Sequence, residues 1–185
     1  MEPGRPALAT PGLPRLLCSS TGHLPHPDPE IGGILVHDLS LIELVRLSAR
    51  SAPQLAVDVD TVEGLAHDAT AIAFLATRLR LPVVITRRPA LAAQARTLGC
   101  LALLHVHCLD STGWERAMSA HPGPPVGTAI SPGLILAHLD ARLRGSLPRP
   151  VLAYGLVRQP AERDAAFAAG ADAVVVPFAG SEGTC

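Results

Sequence analysis

Two pairs of polar residues sit two apart in otherwise apolar runs: Asp58 and Asp60 in LAVDVD, and His105 and His107 in LLHVHC. In an extended strand that spacing puts both members of a pair on one face. Val57 and Val59 take the other face of the first run; Leu104, Val106 and Cys108 take the other face of the second. If the apolar faces pack on helices, two carboxylates and two imidazoles face an interior, where they are costly unless matched. Three kinds of chemistry fit. His105 can pair with Asp58 as a buried polar core. The upper members, Asp60 and His107, can hold a ligand. The DxD and HxH pairs can also bind a divalent metal together, although no longer metal signature accompanies them.

Other candidate residues fall where apolar runs end. Arg87 follows Thr86 at the end of PVVIT. An arginine there suits a bidentate clamp on a phosphate or carboxylate. Its neighbour Arg88 reads as a solvent-facing loop residue. Gly155 and Gly180 follow the last two apolar runs, where a missing Cβ lets backbone N–H groups come close to an anion. Arg87 and the Gly155 amide are therefore expected to wall one anion-holding cup.

Composition removes several mechanisms. All 15 basic residues are Arg and none is Lys. No lysine Schiff base forms, so lysine-type aldolase and pyridoxal-phosphate chemistry are excluded. A Walker A loop is excluded as well, because it needs its Lys. With 16 acidic residues the formal charge is −1, so there is no basic field to attract nucleic acid. Hydrophobic residues make up 48% of the 185-residue chain, which is incompatible with disorder of its body. No apolar run is long enough to cross a bilayer. Cys18, Cys100, Cys108 and Cys185 show no CxxC spacing and fit free thiols in a reducing cytoplasm. Pro3, Pro6, Pro11 and Pro14 interrupt any signal-peptide core, so residues 1–14 read as a disordered tail and 15–185 as a single domain.

The elements that must position these residues alternate. Expected strands are Leu16–Cys18, Gly33–Val36, Leu55–Asp60, Pro82–Thr86, Cys100–His107, Val126–Ile130, Pro150–Ala153 and Asp172–Val176. Expected helices run from Ser40, a capping-box start with Glu43, to Ser51, and over 65–80, 89–99, 110–120, 132–144 and 160–169. Thr21–Glu30, with three Pro, reads as a loop. Strict alternation means parallel strands with right-handed crossovers. Eight strands favour a TIM-like (β/α) barrel over an open sheet, in a short version with incomplete first and last helices. The flank this leaves is expected to be covered by a second subunit. In such barrels ligands lie at the C-terminal strand ends, where Asp110–Ser111, Ser131–Gly133 and Tyr154–Gly155 also fall.

Six stretches in order carry a resemblance: DVDTVEGLAHD (58–68), VVITRR (83–88), CLDS (108–111), ISPG (130–133), YGLV (154–157) and AGADAVVV (169–176). The chain resembles the glycerol-3-phosphate-responsive antiterminators, regulators of glycerol-uptake operons, from about Leu16 to Gly180. The resemblance implies a barrel-like fold, a cytoplasmic regulator rather than an enzyme, no cofactor, glycerol 3-phosphate or a similar phosphorylated polyol as ligand, and leader mRNA as partner. Asp60, Glu63, Gly64, Thr86, Arg87, Asp110, Ser111, Gly133 and Gly155 match the family's pattern. The expected ligand-binding set is Asp60, Glu63, Thr86, Arg87, Asp110, Ser111, Gly133, Gly155 and Gly180. The chain departs from the pattern at Asp58, where a His is usual, at His105 (Arg), at Tyr154 (Gly) and near Pro177 and Phe178 (small hydroxyl residues). The two inward departures would exchange one polar pair for another. The rival reading is a barrel hydrolase or isomerase acting on a small phosphorylated or metal-bound substrate, with Asp60, Glu63 and His107 in the working roles. With few aromatic residues and dispersed arginines, Arg142, Arg144 and Arg149 are the nearest approach to an RNA-binding cluster.

Overall fold

A computed structural model describes residues 12–22, 30–49 and 54–177. Eight parallel strands close into a barrel: β1 (Leu16–Ser20), β2 (Gly33–Val36), β3 (Gln54–Asp58), β4 (Val83–Thr86), β5 (Leu101–His107), β6 (Gly127–Ser131), β7 (Val151–Ala153) and β8 (Ala173–Pro177). Each strand pairs with its neighbours in sequence, and β8 closes on β1 with Leu16 opposite Val174. The expected TIM-like architecture is thus present. The first crossover and the segment after β8 fall in residues 23–29 and 178–185, outside the described residues, and Gly180, Phe178 and Cys185 lie there too.

The connecting helices are α1 (Leu41–Ser48), α2 (Ala69–Thr77), α3 (Pro89–Thr97), α4 (Ser111–Ala120), α5 (Ala141–Ser146) and α6 (Pro160–Ala168). The capping box of α1 forms as expected: the Ser40 hydroxyl accepts from the Glu43 amide at 3.2 Å, and the Ser40 amide donates to the Glu43 carboxylate at 3.0 Å. Two expected helices differ. The helix expected over 65–80 starts only at Ala69, because Asp68 is extended and its carboxylate accepts from the Ala71 amide. The helix expected over 132–144 is split into a 3-10 turn (Gly133–His138) and α5, because Asp140 caps a fresh start by accepting from the Leu143 amide. An aspartate inside an apolar pattern competes with the helix by taking the cap position.

Alternation along the strands divides the core. Leu17, Leu35, Ala56, Ile85, Leu103 and Leu152 fill the barrel interior, while Val57, Val84, Leu104 and Val106 face the helices. Residues 12–14, assigned to a tail from sequence, are described: the Gln54 side-chain amide donates to the Gly12 carbonyl at 2.8 Å, and Leu13 packs on the interior cluster. Above the strands a second, two-stranded ladder pairs Leu39–Ser40 with Val62–Glu63. No helix among the described residues is long and apolar enough to cross a membrane. Among the described residues no disulfide forms: Cys18 and Cys100 are buried and Cys108 is half-buried.

The interior layer predicts an uneven response to truncation. Leu103→Ala, at a fully buried side chain, should cost about 2–5 kcal/mol in urea unfolding. Ile42→Ser, on the outer face of α1 and 64% exposed, should change stability by no more than about 0.5 kcal/mol.

Candidate functional site

The interior apolar layer ends at the C-terminal mouth, and the next inward position on each of several strands is polar. Ala56 is followed two residues later by Asp58, Leu103 by His105 and then His107, Ala129 by Ser131, and Leu152 by Tyr154. The expected inward direction of His105 is realised: its Nδ1 lies 3.5 Å from Asp58 Oδ2, with side chains 8% and 3% exposed. On the other side of the ring, His105 Nε2 meets the Ser131 hydroxyl at 2.6 Å, and that hydroxyl is 3.1 Å from His107 Nδ1. His107 itself is exposed. The Tyr154 ring lies over His105, with 5.3 Å between centroids, and 6.2 Å from the ring of His37. Burial, reinforced by the charges of Asp58 and Asp38, pushes the Tyr154 phenol up to about 12, so it stays a hydrogen-bond donor at neutral pH.

Asp60 takes a different path from the one strand parity suggests. β3 ends at Asp58, whose carboxylate accepts from the Asp60 amide at 3.2 Å and turns the chain into a 3-10 turn, Val59–Thr61. Asp60 is thereby carried to the rim beside β4. Its Oδ2 accepts from the Thr86 hydroxyl at 3.1 Å and from the Arg87 amide. Both guanidiniums close on it, Arg87 Nε at 3.5 Å and Arg88 Nε at 3.2 Å. Burial alone would raise the Asp60 carboxyl. The Arg87 amide, the Thr86 hydroxyl and the Arg88 side chain, with the Arg87 charge, outweigh it and hold the group below the usual carboxylate range.

Arg88 is therefore not the free loop residue expected from sequence: it binds Asp60 and contacts His67 Nδ1 at 3.2 Å. Of the expected ligand set, Asp60, Thr86 and Arg87 are brought together. Glu63 lies exposed in the rim ladder opposite Ser40. Asp110 caps α4, accepting from the Gly113 amide, and Ser111 opens that helix. Gly133 donates to the Gly155 carbonyl at 2.8 Å, and a Cβ there would stand 2.8 Å from the Tyr154 amide nitrogen, so the close passage of these two loops requires glycine. Gly133 also lines an apolar cleft of about 260 Å³ on the flank, between the 3-10 turn and α6. Gly155 has φ +80°. Its strand and that of Arg87 are separated around the barrel by β5 and β6. Asp60 and His107, paired from sequence as a ligand site, make their contacts with different partners, residues 86–88 and Ser131. Among the described residues no three His, Cys, Asp or Glu converge as a metal ligand set. The Ser131 link between the two histidines and the Arg88 contacts were missed. Only the pairing of His107 with Ser131 across β5 and β6 reveals the first.

The profile of the family described as glycerol-3-phosphate responsive antiterminator matches residues 28–177. The chain belongs to this family. No curated protein matches the sequence. Among solved structures, the glycerol uptake operon antiterminator regulatory protein of Listeria monocytogenes superposes with a TM-score of 0.73 at 19% identity, covering 91% of this chain and 95% of its own. A glycerol uptake operon antiterminator-related protein of Thermotoga maritima gives 0.67 at 22% identity, covering 88% and 93%. The fold is also shared by an enzyme, a phosphoribosyl anthranilate isomerase, at 0.60 and 15% identity over 93% and 90%. The antiterminator family is regulatory, and the barrel alone does not separate regulators from enzymes.

The rim cluster predicts a pH signature. Because the folded Asp60 carboxyl titrates below its unfolded value of about 3.9, its contribution to stability is complete above that value and lost as pH falls through the folded one. Asp60→Asn should lower stability by about 1–3 kcal/mol at pH 6. The gap between wild type and variant should narrow below about pH 4, as read from melting temperatures across the pH range.

Proposed function

We propose that this antiterminator binds glycerol 3-phosphate at the barrel mouth and, in its liganded form, acts on the leader mRNA of glycerol-uptake genes. The observation that carries the ligand half is the pair of guanidiniums gathered on one buried carboxylate. Arg87 and Arg88 are 60% and 52% exposed while anchored to Asp60, and Arg88 also meets His67, so the N–H groups left over can fork onto a phosphate. Asp60 and Thr86 then position the clamp rather than touch the dianion. The hydroxyl end of the ligand would meet the polar layer of His105, Ser131, His107 and Tyr154. Gly155 and Gly133 on the far rim, Asp110 and Ser111 at the start of α4 and Glu63 in the rim ladder complete the set the family pattern supplies, and Gly180 joins it as the glycine after the last strand.

Ligand acts on RNA binding only by favouring one state of the protein, so it must bind the RNA-competent state more tightly. Two of the three candidate RNA-cluster arginines are already engaged, Arg144 with the Leu139 carbonyl and Arg149 with Asp172. RNA contact then rests on shape and on single-stranded bases more than on a basic field. A cytoplasmic location follows from this role. A second subunit over the flank next to β8 remains part of the proposal.

Titrating glycerol 3-phosphate should raise the melting temperature steadily with ligand concentration, by the equivalent of about 2.7 kcal/mol at a hundredfold excess over Kd. Glycerol alone should shift it far less. Arg87→Ala should weaken binding by roughly ten- to a hundredfold, the worth of a charged hydrogen bond. No shift at millimolar glycerol 3-phosphate would overturn the ligand assignment.

A further inference from the structure

The polar layer at the mouth, which the hydroxyl end of the proposed ligand would meet, also contains a directed chain. Asp58, His105, Ser131 and His107 stand in line, with separations of 3.5, 2.6 and 3.1 Å. Asp58 Oδ1 already accepts from the Asp60 amide, which leaves Oδ2 facing the ring of His105. His105 Nδ1 is buried and has no hydrogen-bond partner among the described residues, so the nearby carboxylate is the group its proton meets. A carboxylate only accepts, so Nδ1 carries the proton and Nε2 presents its lone pair. The Ser131 O–H must then donate to Nε2, and the N–H of His107 donates to the Ser131 oxygen. The reverse orientation would set the Nδ1 lone pair against the Asp58 carboxylate.

We propose that Ser131 is an activated nucleophile, with His105 as its base and Asp58 as the carboxylate that orients the base, placed to react with small carboxylic esters. This is the logic of a serine triad, in which a buried carboxylate fixes the tautomer of the histidine that takes the serine proton. An Asp–His separation of 3.5 Å is within the looseness seen before a substrate is bound. Ser131 ends β6 at the mouth, where it is 7% exposed, and His107 beside it is exposed. Cys108 is no competitor, since burial and the Asp110 charge push its thiol up.

The reaction balances with ester and water alone. Ser131 Oγ bonds to the carbonyl carbon as its proton passes to His105 Nε2. The ester C–O bond breaks, and the leaving alcohol takes that proton. Water then attacks the acyl-serine, giving its proton to the same nitrogen, which returns it to Ser131 as the acid departs. Asp58 touches no reacting atom and is a positioning residue.

The test is labelling of the full chain with a fluorophosphonate probe, in which a P–O bond to serine replaces P–F, read by intact mass and peptide mapping. The expected result is one adduct, on Ser131, absent from Ser131→Ala. His105→Gln should slow labelling by about 10²–10⁴-fold. Asp58→Asn should slow it too, with partial recovery in Asp58→Glu, which a merely structural carboxylate would not give. A burst of p-nitrophenol from p-nitrophenyl acetate should accompany it. Wild-type protein that is folded yet unlabelled at Ser131 overturns the proposal without need of any variant. An unchanged rate in folded His105→Gln overturns it equally. Labelling is measured without glycerol 3-phosphate, so its outcome is independent of the ligand titration.

Discussion

A carboxylate enclosed by a barrel has to be matched, and the way Asp58 is matched arranges the whole mouth. An isolated charge in an apolar interior costs far more than a domain can spare. Among the described residues Asp58 has two partners, the His105 ring on one oxygen and the Asp60 amide on the other. The second partner has a geometric consequence. To offer its N–H back to Asp58, the chain must leave the strand and tighten into a 3-10 turn. That turn moves Asp60 from the interior to the rim. Asp60 in turn collects the hydroxyl of Thr86 and the guanidiniums of Arg87 and Arg88. One buried charge therefore fixes a turn, the turn places a second charge, and the second charge places two cations.

The closed barrel supplies the layer on which this rests. Each strand contributes alternate residues to the interior, and the lower inward positions are aliphatic. That filled layer excludes water from the floor and leaves the polar groups above it to satisfy one another. Hydrogen bonds there act in a low dielectric, where completed chains gain and incomplete ones lose more than at the surface. Ser131 matters for this reason. It stands on β6 beside two imidazoles of β5 whose ring centroids are 5.8 Å apart, and it gives each a partner.

The strands and their inward faces were legible because period-two alternation is a local property. Asp58 opposite His105 follows from Ala56 and Leu103 being inward in their own runs. The capping box at Ser40 and Glu43 was legible for the same reason. Helix limits were less so. Asp68 and Asp140 sit inside apolar patterns, and only the backbone shows that each has taken a cap. Parity also failed where the strand ended: two residues past Ala56 it held, and four past it did not. The roles of Arg88 and Ser131 depend on which loops and strands become neighbours, which no single run of sequence encodes.

The small ladder above the barrel joins the loops that follow two neighbouring strands, β2 and β3. Leu39–Ser40 pairs with Val62–Glu63, and the Thr61 hydroxyl, which donates to the Asp58 carbonyl, accepts the Asp38 amide. The lip over β2 and the lip over β3 are thus sewn into a single flap. Through this ladder the turn that carries Asp60 is tied to the residues that open α1. The same helix turns Ile42 and Val45 to solvent, so one short element joins the polar mouth to an apolar outer face.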